Sequence, residues 1–179
     1  MLDRRSPLGT SARIDCVQLR ASESPDFSLT QLSGLTKGFE KDVATAIAKM
    51  PPRIGVVLNN GSETLFRIGP KQVWIVGAPD YLLPRDLALT HAAISLSHSR
   101  VRLLIEGSAA RNLLSKGMAL DFHPSAFEPG SFALTGLDHT PVMVHCTGAE
   151  SFHLYALSTF AVSVWDWLID ASLEYRAAA

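Results

Sequence analysis

The strongest constraint on the fold is a segment order that recurs along the chain: a strand pattern, a helix pattern, further strand patterns and a second helix pattern. The strand patterns are short apolar runs bounded by turn residues, whereas the helix patterns space apolar residues three or four positions apart. Strand patterns lie at 14–19, 54–58, 65–68, 73–76, 101–105, 132–137, 142–146 and 152–157, and helix patterns at 36–50, 84–93, 109–116 and 158–175. Because each helix must bury one face, this order predicts an α+β fold, with antiparallel sheets that carry helices on one face, arranged as two ferredoxin-like lobes.

The first and last helix patterns make the most specific packing predictions. Phe39 and Val43 lie one helical turn apart, and Pro51 follows the end of that pattern, where a proline stops a helix. In the last helix, Trp165 belongs to the apolar face. Trp167 is rotated away from that face, so we expect it near the edge of the helix, where it can contact a partner chain.

The chain divides into a predicted tail and a predicted domain. Residues 1–35 are predicted to be an N-terminal tail that a partner chain orders, because 21–36 is rich in Ser, Thr, Pro and Gly. Residues 36–179 are predicted to form the α+β domain. The loop 77–84, which contains two prolines, is the predicted boundary between its two lobes, unless the lobes form one intertwined unit.

Composition argues against several classes of partner. The 16 basic and 17 acidic side chains give a net charge of −1, so no field attracts nucleic acid or an anionic membrane. No apolar run approaches the roughly 18 residues of a membrane helix, and the first residues lack the apolar core of a secretory signal. Cys16 and Cys146 fit no paired motif and indicate thiols in a reducing compartment. We therefore expect a cytoplasmic protein with no nucleic-acid or membrane partner.

Residue patterns of the common catalytic and metal sites are absent from the sequence. The six histidines form no HxxxH or HExxH motif, and the glycines form no nucleotide-binding loop. His145 and Cys146 would point to opposite faces of one strand, so they cannot ligate one metal from that strand. We interpret Cys146 as a core thiol without an activating neighbour. The sequence therefore assigns no catalytic, cofactor-binding or metal-binding residue.

Other polar residues that could take part in catalysis are expected to have structural roles instead. Asp121 precedes a proline-containing loop and is expected to close a turn. Asp166 and Asp170 lie one helical turn apart on the polar face of the last helix, where we expect solvent. His98 and Arg100 stand at the entry to the strand pattern 101–105 and are expected to make local hydrogen bonds.

Several short groups of residues carry a resemblance to known proteins. They are LSHSR at 96–100, LIEG at 104–107, LLSKG at 113–117, LDFHP at 120–124, PGSFALT at 129–135, STFA at 158–161, WDWL at 165–168 and DA at 170–171. In this order and spacing they resemble the sarcosine oxidase gamma subunit family and, more distantly, the N-terminal folate-binding lobe of the glycine-cleavage T-protein. The resemblance is clear over about 90–175 and weak over 36–90.

The resemblance implies a noncatalytic structural subunit of a heterotetrameric sarcosine oxidase. Such a complex oxidatively demethylates sarcosine to glycine, produces H₂O₂ and transfers the one-carbon unit to tetrahydrofolate. The implied partners are alpha, beta and delta type subunits. FAD, FMN, NAD and tetrahydrofolate are expected on those partners, and no cofactor on this chain. A gamma-like subunit of N-methylglutamate dehydrogenase is an alternative role.

A second alternative follows from the resemblance to the T-protein, which places a catalytic Asp at the start of the strand after its first hairpin turn. This sequence has Thr140-Pro141 there, and Asp138 lies two residues earlier. Neither Thr nor Pro supplies a carboxylate, and likeness of fold does not transfer activity. A folate-dependent aminomethyltransferase-like enzyme, or a folate-binding protein, therefore remains the alternative rather than the main prediction.

The apolar residues of the predicted tail also indicate that this chain assembles with partner chains. Its large apolar residues are too few to form a core of their own, so we expect them to lie against another chain. They include Phe27, Leu29, Leu32 and Leu35. A low charged fraction of 18%, below the usual value of about 25%, points the same way.

Overall fold

A computed structural model describes residues 5–9, 12–47 and 50–176 of the chain. Its strands are β1 (Arg13–Asp15), β2 (Arg20–Glu23), β3 (Ser28–Ser33), β4 (Val57–Asn60), β5 (Glu63–Gly69), β6 (Gln72–Gly77), β7 (Ala92–Ser95), β8 (Arg100–Glu106), β9 (Phe132–Leu137), β10 (Thr140–Gly148) and β11 (Ser151–Leu157). Its helices are α1 (Phe39–Ala46), α2 (Arg85–Thr90), α3 (Ala110–Ser115), α4 (Ala161–Ala171), which a short 3-10 turn at Ser158–Phe160 precedes, and α5 (Leu173–Arg176).

The chain forms two structural units, of which the five-stranded unit comprises Asp26–Ser97. Its strands lie in the order β4-β5-β6-β3-β7, and every neighbouring pair is antiparallel. The elements β3, α1, β5, β6, α2 and β7 follow one another along the chain in the ferredoxin-like order. Strand β4 is an addition at the edge of the sheet.

The six-stranded unit comprises Met1–Pro25 and His98–Ala179, with the antiparallel strand order β1-β2-β8-β11-β10-β9. Elements β8, α3, β10, β11 and α4 repeat the arrangement of the five-stranded unit, and the N-terminal β2 takes the place that β7 has there. Strand β9 again adds an edge. The predicted α+β class with two antiparallel, ferredoxin-like lobes is therefore confirmed.

Each sheet buries the face that its helices cover. In the five-stranded unit, Phe39 and Val43 of α1 and Leu87 of α2 join a core with strand residues Leu32, Leu65, Val73 and Ile75. In the six-stranded unit, α3 and α4 pack with alternate residues of β8, β10 and β11. The buried face of α4 comprises Ala161, Val164, Trp165 and Leu168, which confirms the predicted packing of Trp165.

Residues 20–33 do not form a tail, and this part of the sequence prediction is wrong. Strand β2 pairs with β8, and β3 pairs with β6 on one side and β7 on the other. A strand paired on both sides satisfies its backbone through its neighbours, so a few apolar side chains suffice to hold it. Phe27, Leu29 and Leu32 are buried, and Leu35 remains 70% exposed. Residues 1–4, 10 and 11 of the predicted tail lie outside the described residues.

The lobe boundary also differs from the prediction. The loop 77–84 joins β6 to α2 inside the five-stranded unit, and the chain passes between units at 25–26 and 97–98. One unit is therefore built from two separate stretches of the chain, and the other unit is formed by the stretch between them. The predicted helix at 84–93 ends at Thr90, and the residues after it form β7. The predicted helix at 36–50 is Phe39–Ala46, and residues 48 and 49 lie outside the described residues.

None of the helices in the described ranges is long and apolar enough to cross a lipid bilayer.

Candidate functional site

The face of the six-stranded sheet opposite α3 and α4 carries a group of polar aromatic side chains. In the β10–β11 register, His145 lies directly opposite His153, and their ring centroids are 6.2 Å apart. Tyr155, two residues along β11, approaches His153 edge-on at 6.2 Å and lies opposite Arg102 of β8. We call Arg102, His145, His153 and Tyr155 the histidine cluster.

Neighbouring backbone and side-chain groups position the histidine cluster. The Arg102 guanidinium donates to the Ser24 carbonyl oxygen at 3.2 Å and to the Ser24 hydroxyl at 2.9 Å. Because residues on one face of a strand are two positions apart, His153 and Tyr155 project to the same side of β11. His145 is buried, with 6% of its surface exposed, and Tyr155 is buried with 2% exposed.

Burial determines the protonation state of the cluster. It lowers the pKa of His145 to about 4, with a further contribution from His153. It also lowers the pKa of His153 to about 4, with a further contribution from the charge on Arg102. Burial raises the pKa of Tyr155, although the Arg102 charge and its hydrogen bond oppose that shift. Both imidazoles and the phenol are therefore neutral at pH 7.

The four side chains of the histidine cluster can support few kinds of chemistry. Two imidazoles supply two metal ligands, whereas zinc sites use at least three protein ligands. No group of three or more His, Cys, Asp or Glu side chains suited to a metal occurs within the described residues. None of the four members of the cluster is itself a carboxylate, the group that commonly orients or charges an imidazole in acid–base catalysis. The arrangement suits neutral hydrogen bonding and packing.

The other pronounced polar arrangement centres on Arg111 of α3. Its Nε donates to the Ala149 carbonyl oxygen at 2.9 Å, and its Nη1 donates to the carbonyl oxygens of Phe122 at 2.7 Å and Phe127 at 3.1 Å. The guanidinium also lies over the Phe152 ring, 5.2 Å from the centroid. One side chain thus connects α3, the loop before β9 and the β10–β11 turn.

Arg111 also contacts Cys146, with Nη2 3.6 Å from Sγ, so the predicted absence of an activating neighbour is wrong. Burial nevertheless raises the pKa of the Cys146 thiol, and this effect outweighs the opposing influence of Arg111. The thiol donates to the Gly148 carbonyl oxygen at 3.2 Å. Cys146 is fully buried in the core, as expected of a core thiol.

Asp121 and Arg100 have the local hydrogen bonds that the sequence predicts, whereas the hydrogen bond at His98 is made by its backbone and joins it to the distant Ser158. The Asp121 Oδ1 accepts from the His123 N–H at 2.8 Å, which closes a turn. The His98 carbonyl oxygen accepts from the Ser158 hydroxyl at 3.1 Å. Arg100 donates from Nη1 to the carbonyl oxygen and the hydroxyl of Ser99. These residues belong to separate turns and strand ends, and the structure does not gather them into one site.

The hairpin between β9 and β10 contains the residues on which the folate alternative depends. Asp138 is the turn residue, with φ of 52°, and its carboxylate lies 3.6 Å from Nε2 of the exposed His139. Thr140 is the first residue of β10 and pairs with Leu137, and Pro141 follows it. The first two residues of β10, Thr140 and Pro141, therefore carry no carboxylate.

Trp167 has a role within the chain that the sequence did not reveal. Its indole lies over Gly117, where a Cβ atom would come within 2.4 Å of the indole Cζ2, and it packs against the core. The absence of a side chain at Gly117 is what allows the ring to lie there. Contact between Trp167 and a partner chain stays a prediction.

Solved structures define the class of fold. The chain is similar to glycine cleavage system aminomethyltransferase T from Bartonella henselae, with a TM-score of 0.63, 14% identity and coverage of 85% of this chain and 45% of that one. It is also similar to a chain of the heterotetrameric sarcosine oxidase from Corynebacterium sp. U-96, with a TM-score of 0.88, 24% identity and coverage of 98% of both chains. The protein therefore has an aminomethyltransferase-like fold.

Sequence comparison identifies the family within that class. The model of the sarcosine oxidase gamma subunit family matches residues 57–174, and the chain belongs to this family. It is 35% identical over 134 residues to sarcosine oxidase subunit gamma from Arthrobacter sp., and 29% identical over 135 residues to that from Corynebacterium sp. strain P-1. Each match covers 72% of this chain and 66% of the relative, slightly under two thirds of the relatives' length.

Proposed function

We propose that this chain is a noncatalytic structural subunit of a heterotetrameric sarcosine oxidase. The observation that carries the proposal is its membership of the gamma subunit family over residues 57–174. The likeness of fold to a chain of the heterotetrameric enzyme, over 98% of both chains, supports it. The partners proposed are subunits of the alpha, beta and delta types.

The chemistry of the complex is assigned to those partners. They demethylate sarcosine to glycine, reduce O₂ to H₂O₂ and pass the one-carbon unit to tetrahydrofolate, with FAD, FMN, NAD and tetrahydrofolate bound outside this chain. The local environments support this division. His145 and His153 are held neutral by burial, Cys146 is a buried thiol with a raised pKa, and Thr140-Pro141 occupies the start of β10. The free thiols Cys16 and Cys146 support a cytoplasmic location.

Co-expression tests the proposal. The chain is produced together with subunits of the alpha, beta and delta types of a heterotetrameric sarcosine oxidase, and complexes are measured by size-exclusion chromatography with light scattering. We expect a stable hetero-oligomer in which this chain is stoichiometric. The control is the same set of subunits without this chain. A monodisperse monomer that binds none of the flavoprotein subunits would contradict the proposal.

The lone chain distinguishes the folate alternative. We expect the purified chain to be colourless, free of zinc and without stoichiometric binding of tetrahydrofolate in a calorimetric titration. One equivalent of bound folate would favour a folate-dependent role, which the similarity of fold to the aminomethyltransferase keeps as the second candidate. A flavin spectrum, or one equivalent of zinc by elemental analysis, would contradict the assignment of cofactors to the partners.

A further inference from the structure

Strand β7 forms one edge of the five-stranded sheet, and its hydrogen-bonding direction follows from two contacts. The Leu96 N–H donates to the Leu29 carbonyl oxygen at 2.8 Å, and the Gly34 N–H donates to the Lys71 carbonyl oxygen at 2.8 Å. Hydrogen-bonded positions alternate in an antiparallel ladder. Odd-numbered residues of β3 therefore bond to β7, and even-numbered ones bond to β6.

This alternation determines which backbone groups of β7 face outward. Ala92 and Ile94 lie opposite Ser33 and Gln31 of β3, so their N–H and C=O groups point into the sheet. Ala93 and Ser95 lie at the intervening positions, and their N–H and C=O groups point away from β3. Ala93, Ile94 and Ser95 are all exposed. The edge thus presents two donors and two acceptors to its surroundings.

The exposed apolar side chains around β7 favour association of this edge with another chain. Ile94 is 53% exposed, Leu89 of α2 is 74% exposed and Leu35, beside the start of β7, is 70% exposed. The Leu35 N–H lies 3.5 Å from His91 Nδ1, and α2 packs against β7. The strand itself, Ala92–Ser95, contains no charged residue and no proline. Proteins usually protect an open edge with such residues, because bare edges pair with other chains.

The other three edge strands in the described part of the chain differ from β7. Strand β4 is uncharged, but its apolar side chains, Val57 and Leu58, are only partly exposed. Strand β1 carries Arg13 and Asp15, which form an ion pair at 2.8 Å, and charges of this kind discourage pairing. Strand β9 is uncharged, but its one large exposed apolar side chain is Leu134. The combination of an uncharged edge with several exposed apolar side chains distinguishes β7 from all three.

We propose that β7 is a docking edge at which an extended segment of a partner subunit adds as a sixth strand. The inference rests on the proposed function, since it names the surface through which this chain joins its complex. An extended segment is the occupant because only a strand presents backbone donors and acceptors at the spacing of Ala93 and Ser95. Its alternate side chains then cover Leu89 on the helix side of the sheet and Ile94 on the opposite side.

Amide hydrogen exchange in the assembled complex tests strand addition directly. In the lone chain, the outward amides of Ala93 and Ser95 exchange fast, whereas the Ile94 amide, bonded to β3, is protected. In the complex, we expect exchange at Ala93 and Ser95 to slow by at least about tenfold, because those amides gain hydrogen bonds. The Ile94 amide is the internal control and stays protected in both states.

Two matched variants test the side chains. Ile94→Lys places a charge beside the docked segment, and we expect it to weaken assembly by at least about tenfold. Leu134→Lys is the control, because Leu134 is also 53% exposed on an uncharged edge strand, and we expect a change below about twofold. Thermal unfolding of each lone variant verifies that both fold. Equal losses of assembly for the two variants would overturn the assignment to β7.

Failure of this inference is distinguishable from failure of the proposed function. If the complex forms while Ala93 and Ser95 still exchange fast, the docking edge is wrong and the subunit role stands. If none of the alpha, beta and delta type subunits binds the chain, the docking edge and the proposed function are both wrong. If the two amides become protected by self-association of the lone chain, the occupant is a second copy and the proposed partner segment is wrong.

Discussion

Replacing Arg111 with Met should destabilise the six-stranded unit more than any exposed arginine replacement. The Arg111 guanidinium donates to three backbone carbonyl oxygens, those of Phe122, Phe127 and Ala149. Methionine preserves much of the aliphatic bulk but supplies no donor. The substitution therefore leaves the three carbonyl oxygens without this partner and releases the loop before β9 from α3.

The magnitude follows from those contacts. A net contribution of about 1 kcal/mol for each of the three hydrogen bonds gives about 3 kcal/mol. The contact with the Phe152 ring adds about 0.5–1 kcal/mol. We therefore expect Arg111→Met to lower the free energy of unfolding by about 3–4 kcal/mol. That is a large fraction of the roughly 5–15 kcal/mol that a domain has.

Urea denaturation followed by tryptophan fluorescence measures this loss. The control is Arg13→Met, because Arg13 forms an ion pair with Asp15 in which the arginine side chain is 65% exposed. An exposed pair contributes about 0–1 kcal/mol. A loss below about 1 kcal/mol for Arg111→Met, or equal losses for the two variants, would refute the role given to Arg111.

The remaining predictions concern the backbone, the pH dependence and the last helix. Gly107→Ala should lower the free energy of unfolding by at least about 3 kcal/mol in chemical denaturation, because its φ is 116° and its Cβ would lie 2.3 Å from the Gln18 carbonyl oxygen. The control is Gly130→Ala, where φ is 87° and nothing lies within 4 Å of the added Cβ. A similar loss in both variants would show that the positive φ, and not the contact with Gln18, is responsible. His145 and His153 have native pKa values of about 4 against about 6.5 when unfolded, so the unfolded chain takes up protons first as the pH falls. Each histidine should then lower the free energy of unfolding by about 2.5 kcal/mol between pH 6.5 and pH 4, which gives about 5 kcal/mol for the pair. A flat profile in urea denaturation would contradict this. Trp165→Ala should cost about 3–5 kcal/mol, measured by the same titration, and a loss below about 1 kcal/mol would contradict the core packing of α4.

Local periodicity was enough to predict much of the six-stranded unit. The strand patterns at 132–137, 142–146 and 152–157 correspond to β9, β10 and β11, because alternation of apolar residues is a property of each segment. The last helix and its Trp165 face follow from the helical period in the same way. The order of the strand and helix patterns then predicted the arrangement of these elements into two ferredoxin-like lobes.

Strands β2, β3 and β7 depend on pairing that lies outside their own sequence. Ala92–Ser95 contains two alanines and follows a helix, so its composition gives a weak strand signal. It forms a strand because β3 lies beside it. Likewise, the serine-rich Ser28–Ser33 becomes a central strand only when β6 and β7 flank it, which explains why the predicted tail was wrong.

The polar clusters depend on register and on approach between distant segments. The β10–β11 pairing shifts by one residue between Cys146 and Gly148. Counting back from the turn therefore misplaces His145 by one position, and a shift of one residue changes which side chains face each other. Arg111 had no sequence signal at all, because the carbonyl oxygens that it binds come from loops whose positions only the fold determines.

Turnover of the reconstituted complex tests the central claim, that this chain contributes structure and not chemistry. The variants His98→Gln, Asp121→Asn and His153→Gln are each assembled with the partner subunits, and kcat for sarcosine oxidation is divided by the amount of intact complex. We expect each value to lie within about threefold of the unmodified complex, since the proposed function assigns the reacting atoms to the partner subunits. A loss of kcat above about a thousandfold in a fully assembled complex, more than one misplaced positioning group usually costs, would contradict the account.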